Sequence, residues 1–278
     1  ARSRTRWPRS TRSELARRAR LDAELVRRGL ARSREHAAGL IADGRVKVGG
    51  TVATKAATAV DAGTPVVVHQ DAGEQWVSRG AHKLLGALDA FAVDPTGRRC
   101  LDAGASTGGF TEVLLRRGAA HVVAVDVGYG LLAWSLRTDE RVSVVERVNA
   151  RNLEPSQVGE PASLVVADLS FIPLGLVLPA LVRCASGDAD LLPMVKPQFE
   201  VGKEHLPAGG VVRDPAARAG AVRRVAAQAA ELGLGVLGVT ASPLPGPSGN
   251  VEYFLHLRRD APPLADADLL RAVEEGPQ

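Results

Sequence analysis

From about Arg79 onward the chain alternates short, continuous apolar runs with stretches of helical period. Runs such as Val122-Val123-Ala124-Val125 suit strands buried on both faces of a sheet, the pattern of parallel strands joined by covering helices. Strands are predicted over 99–103, 121–127, 142–146, 163–168, 190–195, 234–240 and 251–257. Helices are predicted over 81–91, 109–118, 130–136, 174–185 and 215–232. The last two strands are too close in sequence for a helical crossover, so an antiparallel hairpin across Ser242 to Asn250 is expected. The fold class is therefore α/β, an open and mostly parallel sheet whose last strand is antiparallel.

A smaller α+β unit precedes it. Leu21 to Arg28 has an amphipathic helical period that Gly29 stops, and Ser33 caps a second helix that ends at Asp43-Gly44. Arg45 to Val48 alternates as a strand, Gly49-Gly50 turns, Thr51 to Lys55 returns, and Pro65 to His69 adds another strand. The expected division is a disordered basic tail over 1–19, a small domain over 20–69, a polar linker over 70–78 containing Trp76, a large domain over 79–260 and a tail over 261–278. Residues 1–80 carry 16 Lys/Arg against 8 Asp/Glu and residues 81–278 carry 19 against 23, net charges of +8 and −4. A basic head on a near-neutral body points to a module that binds a polyanion. Arg20, Arg27, Arg28, Arg32, Arg34, Arg45 and Lys47 are its candidate RNA-binding residues, able to follow phosphates and RNA shape without reading bases.

Other classes fit less well. The Arg- and Ser-rich start has the make-up of an organelle transit peptide but no apolar centre, so it is no secretory signal. No run reaches about 18 apolar residues, so no membrane-spanning helix and no membrane partner are expected. Cys100 and Cys184 stand alone in apolar surroundings, which fits buried thiols in a reducing, cytoplasmic location. The six histidines do not cluster, so no metal site is expected.

The run Asp102-x-Gly104-x-Ser106-Thr107-Gly108-Gly109-Phe110 follows a strand and opens a helix, where glycines let backbone approach a ligand. Asp126 ends the next strand, placed to accept hydrogen bonds from both ribose hydroxyls of an adenosine cofactor. Asn149, past the third strand, is within reach of an adenine edge. The spacing is not Gly-x-Gly-x-x-Gly, which weakens a nicotinamide reading. The same letters satisfy Gly-x-Ser-x-Gly, the nucleophile elbow of serine hydrolases, but neither of the late histidines, His205 and His256, has a convincing setting.

Four charges stand at corresponding ends of elements. Asp168 ends the fourth strand, Lys196 the fifth, Glu252 starts the last strand and Lys83 starts the helix before the sheet. Each alone reads as an ordinary surface charge or, for Asp168 and Lys196, as a structural ion pair. Together, at the carboxyl edge where open α/β sheets bind ligands, they suit the activation of a hydroxyl that attacks an alkyl sulfonium. Lys196 is the expected base, with Lys83 and Asp168 closest to it. A lysine serves as base when burial or a neighbouring cation lowers its pKa from about 10.4, and Lys83 is the expected neighbour.

The set Lys83, Asp168, Lys196 and Glu252, the glycine loop, the run Val77 to Leu84 and the run Pro243 to Phe254 resemble the TlyA family within the wider FtsJ-like methyltransferases. Residues from about 20 to 69 resemble the small RNA-binding domain first named for ribosomal protein S-four. The resemblance implies a Rossmann-like sheet that uses S-adenosyl-L-methionine, held by the loop, Asp102, Asp126, Asn149 and Asp168. It implies 2′-O-methylation of cytidine in 16S and/or 23S rRNA within ribosomal subunits and a capreomycin-sensitivity phenotype on loss; the sequence leaves the oligomeric state open, with a monomer favoured. Family members also carry the name hemolysin, so a membrane-active cytolysin is the rival class. An RNA-binding protein with an inactive methyltransferase fold is another.

Overall fold

The computed structural model describes residues 18–31, 33–61, 63–68, 76–202, 204 and 206–277. Residues 1–17 of the tail expected over 1–19, Arg32, most of the linker and His205 lie outside the described residues, and Ala19 of that tail is part of a strand. The chain forms two units, Ala1–Gln75 and Trp76–Gln278.

In the first unit, β1 (Ala19–Arg20) leads directly into α1 (Leu21–Arg27), followed by α2 (Arg34–Ala42), β2 (Val46–Val48), β3 (Thr51–Val52), β4 (Ala59–Val60) and β5 (Val66–Val68). The Ser33 hydroxyl accepts from His36 N at 3.1 Å, the cap expected for α2. Gly49 and Gly50 both adopt positive φ, and the tight turn they form brings β3 back onto β2. The sheet order is β3-β2-β5, and β1 pairs with β4 in a separate two-stranded ribbon that the alternation did not signal. Leu21, Leu25, Ala37, Ile41, Val46 and Val60 close a small core.

The second unit runs α3 (Gly80–Phe91), β6 (Arg99–Ala103), α4 (Gly109–Arg116), β7 (His121–Asp126), α5 (Trp134–Arg137), β8 (Val142–Glu146), α6 (Pro155–Val158), β9 (Ala162–Ala167), α7 (Leu178–Cys184), β10 (Ala185–Val195), α8 (Pro197–Glu200), α9 (Pro215–Glu231), β11 (Leu234–Ala241), β12 (Tyr253–Arg259) and α10 (Asp266–Glu275). The seven-stranded sheet has the order β11-β12-β10-β9-β6-β7-β8, and β12 is antiparallel to both its neighbours. All seven expected strands form, and the last pair is the expected hairpin.

Alternate side chains feed two cores, one on each face. Leu101, Val123, Val165 and Leu191 pack with α7, α9 and α10, while Cys100, Val122, Leu164 and Leu192 pack with α3 and α4. Burial pushes the Cys100 thiol up to about 12, which keeps it an inert apolar group.

Three helical expectations differ from the structure. The helix expected over 130–136 is only Trp134–Arg137, because Gly130, at positive φ, gives its N–H to the Glu146 carboxylate and holds the preceding loop open. The helix over 174–185 is broken into a short turn at Leu174–Leu176 and α7, which carries Pro179 in its first turn. Residues 261–278, expected as a tail, contain α10, whose Leu269, Ala272 and Val273 are buried in the same core as α9. Among the described residues no helix is long and apolar enough to cross a membrane.

Candidate active site

Parallel strands present their carboxyl ends at one edge of the sheet, so Asp126, Asp168 and Lys196 arrive there together. Because β12 runs the other way, its first residues reach the same edge. Val195 lies opposite Tyr253, which puts Lys196 beside Glu252.

A cavity of about 770 Å³ opens at this edge, lined by Gly104, Ser106, Asp126, Asn149, Asp168 and Ser170, with Val127, Leu131, Val148 and Leu176 as apolar wall. Gly104 has φ +89°, and a Cβ there would meet the Asp168 carbonyl oxygen at 2.3 Å, so no other residue fits between β6 and β9. Ser106, also left-handed at φ 49°, turns its N–H to Asp126 Oδ2 at 2.8 Å, and Gly128 N donates to Asp126 Oδ1 at 2.7 Å. These two bonds fix the carboxylate and leave lone pairs on both oxygens. Asn149 Oδ1 accepts from Arg151 N at 3.1 Å, which frees its amide nitrogen for the cavity.

The remaining loop positions do other work. Asp102 is fully buried beneath the loop and does not line the cavity. Burial pushes its carboxyl up to about 7, against the hydrogen bond from Thr111 Oγ1 at 2.7 Å, and its second oxygen has no partner. A Cβ on Gly109 would meet Ser78 Oγ at 2.2 Å, and one on Gly108 would meet Leu136 at 2.2 Å, so both glycines serve close packing of α4. Phe110 is buried against Phe254, their ring centroids 6.0 Å apart. Thr107 also lies off the cavity wall.

The four charges form two ion pairs. Lys83 Nζ lies 2.5 Å from Glu252 Oε2, with side-chain exposures of 11% and 1%. Lys196 Nζ lies 2.6 Å from Asp168 Oδ1, with exposures of 9% and 23%, and donates to Ser170 Oγ at 3.0 Å. Lys83, the cation expected to act on Lys196, is thus itself paired with Glu252. Removing one partner from such a buried pair leaves an uncompensated charge, at a cost of about 3–5 kcal/mol. Asp168 belongs to both constellations, since it lines the cavity and holds Lys196.

The hydrolase elbow has no dyad among the described residues. Ser106 is tied through its N–H to Asp126, while His256 is bonded to Asp190 at 2.8 Å and stacked on Phe91.

Two residues of this site have no role assigned from the sequence, beyond lying in the strand-end run Asp168 to Phe171 that reads as part of it. Ser170 is exposed on the cavity wall, and Phe171 is 90% exposed, left-handed at φ 64°, with its ring 5.2 Å from that of Phe199. The available signal was Phe171 itself, a large apolar residue directly after a charged strand end, where a core position is not expected.

In the first unit, the candidate RNA-binding arginines are partly engaged. Arg20 and Arg34 both bond to Asp22, and Arg27 and Arg28 both bond to Glu24. The Arg20 guanidinium holds the Asp22 carboxyl near 2, and Arg27 followed by Arg28 does the same for Glu24, to about 2. Arg28 also donates to the carbonyls of Thr64 and Asp61, which makes it a structural strut. Arg27 and Arg34 keep side-chain exposures of 62% and 61%, while Arg45, just before β2, and Lys47, in its middle, are half-buried.

Residues 76–259 match the FtsJ-like methyltransferase family and residues 19–66 match the S4 domain. A Mycobacterium tuberculosis protein named 16S/23S rRNA (cytidine-2'-O)-methyltransferase TlyA is 65% identical over 269 residues, which cover 95% of this chain and 100% of that protein. A solved structure from Streptococcus thermophilus, provisionally described as a hemolysin, has a TM-score of 0.75 at 35% identity, covering 94% of this chain and 96% of its own. Another from Lactococcus lactis, described in the same way, has a TM-score of 0.69 at 40% identity, covering 72% of this chain and 97% of its own.

Proposed function

The chain belongs to the TlyA family of FtsJ-like methyltransferases, and from that premise we propose that it methylates the ribose 2′-hydroxyl of cytidines in 16S and 23S rRNA, within ribosomal subunits and in the cytoplasm. The observation that carries the reading is the Asp168–Lys196 pair at 2.6 Å, set where the cavity wall meets the buried charges.

The residues present fit S-adenosylmethionine. Gly104 forms a cradle that a Cβ would fill, the Asp126 carboxylate has lone pairs that would accept from two ribose hydroxyls, and the Asn149 amide on the cavity wall would hold the adenine. The unpartnered Asp102 oxygen adds negative character beneath the loop. When bound, S-adenosylmethionine supplies an electrophilic methyl group on a sulfonium.

Lys196, in its amine form, takes the proton of the ribose hydroxyl as the oxygen bonds to the methyl carbon and the carbon–sulfur bond breaks. The products are the 2′-O-methyl ether and a neutral thioether, and Lys196 is left as an ammonium. Asp168 orients Lys196, and Glu252 orients Lys83 beside it. Alignment of oxygen, carbon and sulfur contributes alongside proton transfer. Phe171 offers an exposed aromatic face on which an extruded cytosine can stack. The first unit supplies the cationic surface that holds a folded RNA.

The test is transfer of label from S-adenosylmethionine to ribosomal subunits that lack the modification, followed by mapping of the methylated nucleotide. Label on cytidine 2′-oxygens is expected, and Lys196→Ala should lower turnover by about 10²–10⁴-fold, the usual contribution of a general base. Its affinity for S-adenosylmethionine, measured by calorimetry, should stay close to that of the parent. Absence of label with the parent protein defeats the function, and full activity in the variant defeats the assignment of the base.

A further inference from the structure

Lys196 is 7% exposed and is not part of the cavity wall, whereas Ser170 is exposed and lines it. The two are joined by the 3.0 Å bond from Nζ to Oγ. We propose that Ser170 is a positioning residue that aims the lone pair of Lys196 at the ribose hydroxyl. This rests on Lys196 being the base.

A lysine amine has two N–H bonds and one lone pair, and rotation about Cε–Nζ exchanges them among three staggered directions. With Asp168 as the only acceptor, one N–H is fixed and the lone pair is divided between the two remaining directions. Ser170 takes the second N–H, so one direction remains for the lone pair. Both acceptors come from the same segment after β9, and both already hold the ammonium form in that geometry. No rearrangement is then needed between the resting and the reactive states of the base.

The segment that carries Ser170 is itself fixed to the segment that carries Lys196. The Phe171 ring lies 5.2 Å from the Phe199 ring, and Glu200 Oε1 accepts from Leu174 N at 2.8 Å. With the Lys196 bonds, these contacts join 168–174 to 196–200 at three places. Phe171 adopts a left-handed conformation that residues other than glycine and asparagine seldom take, which turns the chain back immediately after Ser170. An exposed serine is thereby held at a constant distance from a buried lysine. Strand register places Glu252, paired with Lys83 of α3, beside Lys196, while Asp102 lies near Asp168 beneath the loop and Glu200 closes the segment at Leu174.

The experiment compares Ser170→Ala, Ser170→Thr and Lys196→Ala with the parent enzyme, using ribosomal subunits as substrate across pH 6 to 10. Ser170→Ala should lower kcat about tenfold, with KM values for S-adenosylmethionine and RNA within about twofold. Its activity should also begin to rise at lower pH, because the ammonium form of Lys196 loses an acceptor. Ser170→Thr retains the hydroxyl and should restore both kcat and the pH profile. Unchanged kcat and pH profile in Ser170→Ala would overturn the proposal, as would a raised KM for RNA at unchanged kcat, the mark of a residue that only binds substrate. A Lys196→Ala variant that remains active defeats the base assignment instead, so the two failures are separable.

Discussion

Asp102 is fully buried, with one carboxylate oxygen bonded to Thr111 and the other bonded to nothing. Burial raises its carboxyl from 3.8 to about 7, with the charges of Asp168 and Asp126 adding to the rise. The folded form therefore holds this proton more tightly than the unfolded chain does. Below pH 3.8 both forms are protonated and the group has no effect on stability. Between 3.8 and about 7 the unfolded chain gives up the proton first, so stability falls as pH rises through that window. Above about 7 the full penalty of a buried charge applies, on the order of 4 kcal/mol as an upper bound. Asp102→Asn cannot ionise, so its melting temperature should fall less between pH 5 and pH 8 than that of the parent. Parallel curves for the two proteins would show that Asp102 is already ionised in the folded protein at pH 5. The letters around Asp102 were read as a ligand-facing loop, of which Gly104 and Ser106 line the cavity together with Asp126. They do not distinguish a carboxylate in the cavity from one sealed below it, because that depends on the partner helix bringing Thr111 over β6.

At the scale of elements, α10 depends on tertiary contacts for its place in the fold. Its Leu269, Ala272 and Val273 are buried against the sheet face that α9 also covers, and Val236 in β11 gives its N–H to Pro262 at 2.7 Å. Replacing Leu269 with Ala removes a fully buried side chain next to an edge strand, which should lower stability by about 2–5 kcal/mol. Urea unfolding of the variant measures this, with S-adenosylmethionine affinity expected to be unchanged because α10 contributes nothing to the cavity. A loss below about 1 kcal/mol would mean that the helix is not integral to the core. The strands of this unit were legible because continuous runs of Val, Ala and Leu have one stable solution, burial on both faces. Helices were less so. Gly128 and Gly130 interrupt the period before Trp134, and α10 hides three core residues among Asp and Glu in a stretch that carries no motif. The four catalytic candidates were legible for a simpler reason: each is a charge beside an apolar run, and sheet topology brings such positions to one edge.

For the whole molecule, charge is divided unevenly along the chain, +8 over residues 1–80 and −4 over 81–278, so phosphate attraction is concentrated away from the candidate active site. Counting arginines overstates what is available for RNA, since the buried Asp22 and Glu24 each engage two of them. Arg28 and Lys47 separate the two roles. Arg28 bonds to Glu24 and to two carbonyls near β4, so Arg28→Ala should lower the melting temperature of the protein and weaken RNA binding only through loss of structure. Lys47 is in the middle of β2, where backbone pairing with β3 and β5 holds the strand whatever the side chain. Lys47→Ala should therefore leave melting unchanged. If its ammonium neutralises one phosphate, fewer counterions are released on binding, and the slope of log K against log salt should shrink by about 0.7–0.9. Affinity measured for ribosomal subunits between 50 and 300 mM salt tests this directly. A variant that binds more weakly with the parent's slope would place Lys47 away from the phosphates and shift the RNA surface toward the exposed Arg27 and Arg34. Catalysis at the sheet edge should then respond to salt through KM for RNA and not through kcat, because the proposed catalytic groups are paired within the second unit.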